Sequence, residues 1–196
     1  MRTLLLCILI VLALPSGAQS LDYRLMQRLC TERNQNLDGF FRVQSESVPL
    51  LTAGIPAFLY FKARRDGNSS LKEKSLELAS SVAFASFVSL SLKYSVQRPR
   101  PYETYPNLGA DGTSLTPSFP SAHSSNAFAL ATSLSLQWKK WYVAVPAFAW
   151  AGSAAYSRIH LGQHYASDVL IGSALGIGSA WLSHKLNKWM WSESRL

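Results

Sequence analysis

Five stretches of this chain, about 48–61, 78–92, 122–137, 141–156 and 169–183, contain no Asp, Glu, Lys or Arg. A helix at a water-facing surface carries a polar stripe, so a helix without a charged face is surrounded by protein or by lipid. Each stretch is shorter than the ~20 residues that cross a bilayer, before its flanks are added. Mean hydropathy is a modest +0.06. Length and periodicity alone serve a soluble helical bundle equally well. The absence of charge from all five stretches favours lipid. Their Ser, Ala and Gly content suits close helix packing there. Trp138, Trp141, Trp181, Trp189 and Trp191 fall near the predicted helix ends, as interfacial anchors do. The expectation is an all-α bundle of about five apolar helices, membrane-spanning.

The 196 residues suit one domain, and 48% of them are hydrophobic. A formal net charge of +8 raises nucleic acid as a partner, but the cations form no single stripe, and that class is set aside. Arg2, the apolar run Leu4 to Leu14 and the small residues Ser16-Gly17-Ala18 read as a secretory signal peptide, residues 1–18, cleaved after Ala18. An uncleaved signal anchor is the alternative. If Cys7 leaves with the signal, Cys30 is alone and no internal disulfide forms. Residues 19–46 follow as a separate segment. In it Leu21, Leu25 and Leu29 recur every four residues beside Met26, which predicts an amphipathic helix lying on a membrane surface. Residues 47–196 make up the bundle domain.

If the five stretches cross in turn, the connecting loops sort onto two sides. One side carries ten Lys and Arg against four acids, net +6; the other carries eight against seven, net +1. The positive-inside rule places the loop with Lys62, Arg64, Arg65, Lys72 and Lys74, the Lys139-Lys140 turn and the C-terminus in the cytoplasm. The exported N-terminus requires the same orientation.

The outward side then collects three short motifs. Lys93 to Pro101 reads K-x6-R-P, Pro120-Ser121-Ala122-His123 is the second, and Ser157-Arg158 through His164 to Asp168 reads S-R-x5-H-x3-D. Eighteen residues separate the first pair and 33 the second. Alternate crossing brings all three to one end of the bundle, which predicts an active site there. In this order the set resembles the signature of the type 2 phosphatidic acid phosphatase and vanadium haloperoxidase superfamily, which includes lipid phosphate phosphatases and bacterial class A acid phosphatases. One position departs: Ala122 stands where that family usually has glycine in P-S-G-H.

The resemblance implies a role for each motif residue, and the chemistry of the residue types agrees. His164 is the expected nucleophile, forming a phosphohistidine. Asp168, one helical turn on, holds the other ring nitrogen. His123 protonates the leaving oxygen and then activates water. Lys93, Arg100 and Arg158 surround the phosphoryl oxygens. Ser121 and the N–H groups from Ala122 onward add donors at a helix N-terminus. This set carries its own acid and cations, so no metal and no other cofactor is expected. Arg98 reads as a solvated loop charge and His160 as structural. Tyr102 and Tyr165 are candidates for shaping the mouth, and the loop from Glu103 to Ser118 for a lid or substrate rim.

The expected function is a metal-independent lipid phosphatase in a bacterial inner membrane, its site facing the periplasm. Its partners are a phosphorylated lipid and the membrane, with no nucleic acid and no obligate protein partner. Similar bacterial enzymes act on phosphatidic acid, phosphatidylglycerol phosphate, undecaprenyl pyrophosphate or lipid A. The compact chain with an exported N-terminus favours lipid A, at its 1- or 4′-phosphate. A soluble periplasmic acid phosphatase, a haloperoxidase and a non-catalytic binder of anionic lipid are the alternatives.

Overall fold

The computed structural model describes residues 16–108 and 114–193, so most of the predicted signal lies outside the described residues. Among the described residues the chain is helical, with no strand. The helices are α1 (Ser16–Thr31), α2 (Asp38–Arg65), α3 (Ser69–Val96), α4 (Pro101–Thr104), α5 (Ala122–Trp138), α6 (Trp141–His160) and α7 (Ala166–Glu193). Each charge-free stretch lies within one of the five long helices, most of which extend into charged flanks.

Local chemistry sets the ends. The Asn68 side chain accepts from the Leu71 N–H at 2.9 Å and starts α3. Gln97 and Lys139 take left-handed backbone, with φ of 50° and 49°, and close α3 and α5. Ser121 caps α5. The short turns at 66–68 and 139–140 fold α2 onto α3 and α5 onto α6, while α5 packs centrally against α2, α3, α6 and α7.

The packing inverts the usual order of a water-soluble core. The inner faces are small and hydroxylic: Ser81, Ser89, Ser124, Ser125, Ala127, Ala129, Ala131 and Ser133 are fully buried. Large apolar side chains such as Phe58, Phe61, Phe87, Leu90, Trp141, Leu170 and Trp181 point outward. Hydroxyls and amides join the helices. Ser86 donates to Asn126 at 2.9 Å, Ser81 to Ser133 at 3.3 Å, and Ser80 pairs with Ser183 at 2.8 Å. Buried Glu77 meets His184 Nδ1 at 2.6 Å, tying α3 to α7 at the end away from the motifs. Among the described residues, one helical stretch, Ser69–Thr104, is by length and composition long and apolar enough on its own to cross a membrane.

The N-terminal helix forms, and the face it packs on the bundle is not its leucine face. Leu21 and Leu25 are exposed, whereas Asp22, Met26 and Cys30 are buried at four-residue spacing. Met26 and Cys30 pack with Ile159, Tyr165 and Val169 over the α6–α7 turn. An Asp and a Cys do not register as an apolar stripe, so this packed face does not show in the sequence pattern. The α2 helix begins at Asp38, inside the segment assigned to residues 19–46.

Two glycines permit the closest approach of α5 and α7. A Cβ on Gly176 would lie 2.1 Å from the Ser125 carbonyl oxygen and 2.9 Å from the Ala129 nitrogen. One on Gly172 would lie 2.5 Å from the Ser121 oxygen. These are backbone atoms and cannot rotate away, so a methyl group must push the helices apart. Overpacking of this kind costs about 1–3 kcal/mol. Thermal unfolding in detergent is expected to show a lower midpoint for Gly176→Ala and Gly172→Ala. Gly178 meets nothing within 4 Å, so Gly178→Ala is expected to hold or raise the midpoint.

Candidate active site

The site is built from three helix ends and the segment joining two of them. The first end is the last turn of α3. Lys93 is buried there, and its Nζ donates to the carbonyls of Pro117 and Ser118. Left-handed Gln97 then turns the chain, the Ser118 N–H donates to the Arg98 carbonyl at 2.8 Å, and the Arg100 side chain reaches the 114–116 segment. Buried Arg100 donates from Nε to the Thr116 carbonyl at 2.8 Å and from Nη1 to the Gln163 carbonyl at 2.9 Å. Its Nη2 reaches Ser114 Oγ at 3.0 Å.

The second end is the start of α5. The Ser121 N–H donates to the Asp168 carbonyl at 3.0 Å, which pins the Pro120-Ser121-Ala122-His123 turn to α7. Ala122 opens the helix, and His123 lies in its first turn, close enough to Arg158, Arg100 and Lys93 to feel their charges.

The third end is a Schellman closure of α6. The Gln163 N–H donates to the Arg158 carbonyl and the Gly162 N–H to the Ile159 carbonyl, both at 2.9 Å. This geometry needs left-handed backbone at its glycine, and Gly162 has φ 68°. The His164 N–H also reaches the Arg158 carbonyl, at 3.2 Å. The spacing between Arg158 and His164 is therefore the length of one helix-terminating motif followed by one residue.

His164 is buried and Asp168 wholly so. The ring's Nδ1 faces Asp168 Oδ2 at 3.6 Å, longer than the direct hydrogen bond expected from the one-turn spacing. The Ser118 hydroxyl fills the gap. It donates to Asp168 Oδ2 at 2.5 Å and lies 3.4 Å from Nδ1. A hydroxyl that donates to the carboxylate is left to accept from Nδ1–H, so the free lone pair sits on Nε2. Nε2 lies 3.4 Å from Arg100 Nη1. Arg158 donates from Nη1 to Ser45 Oγ of α2, while its buried Nε has no hydrogen-bond partner among the described residues. The residues expected from the motifs, Lys93, Arg100, Ser121, Ala122, His123, Arg158, His164 and Asp168, thus gather at one end of the bundle.

Arg98 corrects the sequence reading. It is not a solvated loop charge but a buttress, with Nη1 on Asp168 Oδ1 at 2.7 Å and Nη2 on Asp22 Oδ2 at 2.9 Å. Its guanidinium stacks 3.9 Å above the Tyr165 ring. The doubled Arg-Pro in Arg98-Pro99-Arg100-Pro101 was the available signal. Ser118, Asp22 and Ser45 carried none. His160 is structural, as expected, buried with Nε2 at 2.8 Å from Asp38. Tyr102 borders the pocket, donating its hydroxyl to the Ser114 carbonyl at 3.3 Å. Residues 109–113 of the proposed rim lie outside the described residues.

Residues 74–192 match the PAP2 superfamily. The chain belongs to that superfamily. Over 80 residues it is 34% identical to the lipid A 4′-phosphatase of Bacteroides thetaiotaomicron, a stretch covering 39% of this chain and 36% of that protein. Over 88 residues it is 41% identical to the lipid A 1-phosphatase of Porphyromonas gingivalis, covering 43% of this chain and 17% of that protein. The match therefore spans little more than a third of the first relative and far less of the second. The crystal structure of Aquifex aeolicus LpxE superposes with a TM-score of 0.73 at 26% identity, covering 83% of this chain and 93% of that one. The transmembrane PAP2 type phosphatidylglycerolphosphate phosphatase of Bacillus subtilis superposes with a TM-score of 0.69 at 22% identity, covering 95% and 94%. That second likeness speaks for the fold.

Burial pushes the His164 imidazole down to about 3; Asp168 opposes this, while Arg100 and Arg158 add to it. The neutral ring is the form with a free Nε2 lone pair. It is therefore retained as pH falls through the ordinary histidine range and lost only near the lowered value. NMR of 15N-imidazole-labelled protein is expected to show no His164 titration between pH 5 and 8. A midpoint near 6.5 would mean that water reaches the ring.

Proposed function

We propose that this chain is a phosphatase of membrane lipids that works through a phosphohistidine on His164. The observation that carries the reading is the two-sided environment of this buried ring. Nδ1 faces Ser118 and Asp168, and Nε2 faces Arg100. In the proposed reaction Nε2 attacks phosphorus. The bond from phosphorus to the lipid oxygen breaks, its electron pair leaves with that oxygen, and His123, which takes up a proton as the phosphate anion binds beside it, supplies the proton. His123 then takes a proton from water, whose oxygen attacks the phosphohistidine. Inorganic phosphate leaves, and both histidines return to their starting forms. Lys93, Arg100 and Arg158 balance the charge on the phosphoryl oxygens throughout, the kind of fixed electrostatic stabilisation that is commonly the largest catalytic term. Ser121 and the N–H groups at the start of α5 add donors. Ala122 adds one methyl group and keeps the N–H of that position.

The protein sits in lipid in this reading, with its five long helices crossing and its N-terminus exported by residues 1–18. The outward-facing Phe, Leu and Trp side chains and the hydroxylic interior support this. So does the concentration of Lys and Arg in the 66–68 and 139–140 turns and their flanks, at the end opposite the pocket. The pocket then faces the periplasm. Both relatives named above are lipid A phosphatases, which favours a lipid A phosphate as substrate.

Phosphate release by detergent-purified protein tests the proposal. The panel is lipid A, phosphatidic acid, phosphatidylglycerol phosphate, undecaprenyl pyrophosphate and a water-soluble aryl phosphate, each with chelator. Lipid turnover is expected to survive chelation and to fall by roughly three orders of magnitude or more in His164→Ala. Lys93→Ala is expected to cost roughly 10²–10³-fold, the size of one lost electrostatic donor. Preference for the aryl phosphate would assign the pocket to acid phosphatase chemistry instead. Binding of lipid without release, unchanged in His164→Ala, would make the protein a binder.

A further inference from the structure

We infer that Asp22, on the N-terminal helix, is a positioning residue for the nucleophile, acting through Arg98 and Asp168. The inference rests on the phosphatase reading above. It adds a residue from outside the stretch 74–192 that matches the family.

The geometry forms a relay with one charge alternation per step. The carboxylate of Asp22 is buried and binds Arg98 Nη2 at 2.9 Å. The other arm of the same guanidinium, Nη1, holds Asp168 Oδ1 at 2.7 Å. Asp168 in turn presents Oδ2 to Ser118 and toward His164 Nδ1. Ser167 locks the relay from the side. Its N–H donates to Asp22 Oδ1 at 3.2 Å, and its hydroxyl donates to Asp22 Oδ2. That same hydroxyl oxygen accepts from Arg98 Nη1 at 2.8 Å.

Two physical consequences follow. Without Asp22, the charge of Arg98 would act on Asp168 alone. The carboxylate would then be drawn toward the guanidinium and would stabilise a cationic His164 less well as phosphorus is attacked. The second consequence concerns orientation. A guanidinium is a planar fork, and a second carboxylate on its far arm fixes its plane, and with it the oxygen that Asp168 turns to Ser118 and His164. Among the described residues the side-chain bonds of Asp22 end on Arg98 and Ser167. Its loss is thus expected in turnover and not in substrate affinity.

The test is a double-mutant cycle on the full chain in detergent, with the lipid panel above. Asp22→Asn is expected to lower kcat about tenfold with KM unchanged, the scale seen when an outer partner of an oriented histidine is lost. In an Arg98→Gln background the same Asp22→Asn change is expected to cost less than twofold, because the intermediary is gone. A residue that merely docks α1 would cost the same in both backgrounds, and that result overturns the inference. So does Asp22→Asn turning over at the wild-type rate. Leu21→Ala, on the exposed face of α1, is the control expected at wild-type kcat. If Asp22→Asn does not yield folded protein, Asp22→Ser removes the charge, keeps an acceptor for the Ser167 N–H, and runs the same cycle. Failure of the phosphatase reading is distinct: it is absence of His164-dependent release from wild-type protein.

Discussion

A buried carboxylate that cannot be left alone organises this molecule. Asp168 has no exposed surface, and an isolated charge in such a place costs several kcal/mol. Its two oxygens are met by Arg98, the Ser118 hydroxyl, the Tyr165 N–H and, at longer range, His164. These partners come from the end of α3, the segment before α5 and the turn before α7. The Asp168 carbonyl also accepts from the Ser121 N–H. Satisfying one residue therefore assembles all three motif-bearing ends, and α1 joins through Arg98. The arrangement that makes the carboxylate tolerable is the same one that builds the pocket.

Such an assembly needs helices that come close. The α5–α7 contact supplies this, with glycine facing backbone at Gly172 and Gly176 and serine or alanine along most of the seam. Gly172 lies against the Ser121 backbone, so the helices are already close directly beneath the turn that carries His123, and closest one turn further on at Gly176. Small residues give up apolar burial per helix, and hydroxyl pairs such as Ser80 with Ser183 and Ser81 with Ser133 offset part of the loss. Large side chains are displaced to the outer surface, where lipid would accept them.

The fold was legible because absence of charge is a signal that survives without tertiary knowledge. All five long helices and their alternation follow from it. The motif residues were legible for a related reason: each lies at or beside a helix end, and local rules such as the Ser121 cap and the Gly162 closure tie spacing to geometry. What sequence did not convey lies across the molecule from its partner in chain order. Arg98 and Asp22 are 76 residues apart, and Ser118 and Asp168 are 50 apart. No periodicity links such pairs. Asp22 also interrupts the apolar pattern of its helix, so the face that packs on the bundle does not show beside the exposed stripe of Leu21 and Leu25. A polar residue at the centre of a buried face is invisible to a hydrophobic template until its counter-charge is known.

The cations of the pocket divide into two groups with opposite duties. Arg98 sits between two carboxylates and is neutralised by them. Among the described residues, Lys93, Arg100 and Arg158 have no carboxylate in salt-bridge contact and are held mainly by neutral groups: the carbonyls of residues 116–118 and 163 and the hydroxyls of Ser45 and Ser114. Neutral acceptors fix a cation in place without cancelling its charge. Three uncancelled positive charges at one end of the bundle repel one another in the absence of an anion, a cost carried by the packing of α3, α5 and α6. On the phosphatase reading proposed above, a dianionic phosphoryl group would relieve that repulsion, the more so as negative charge spreads over its oxygens in the transition state. On that reading, the mutual repulsion of the three cations is the source of selectivity for a phosphoryl group.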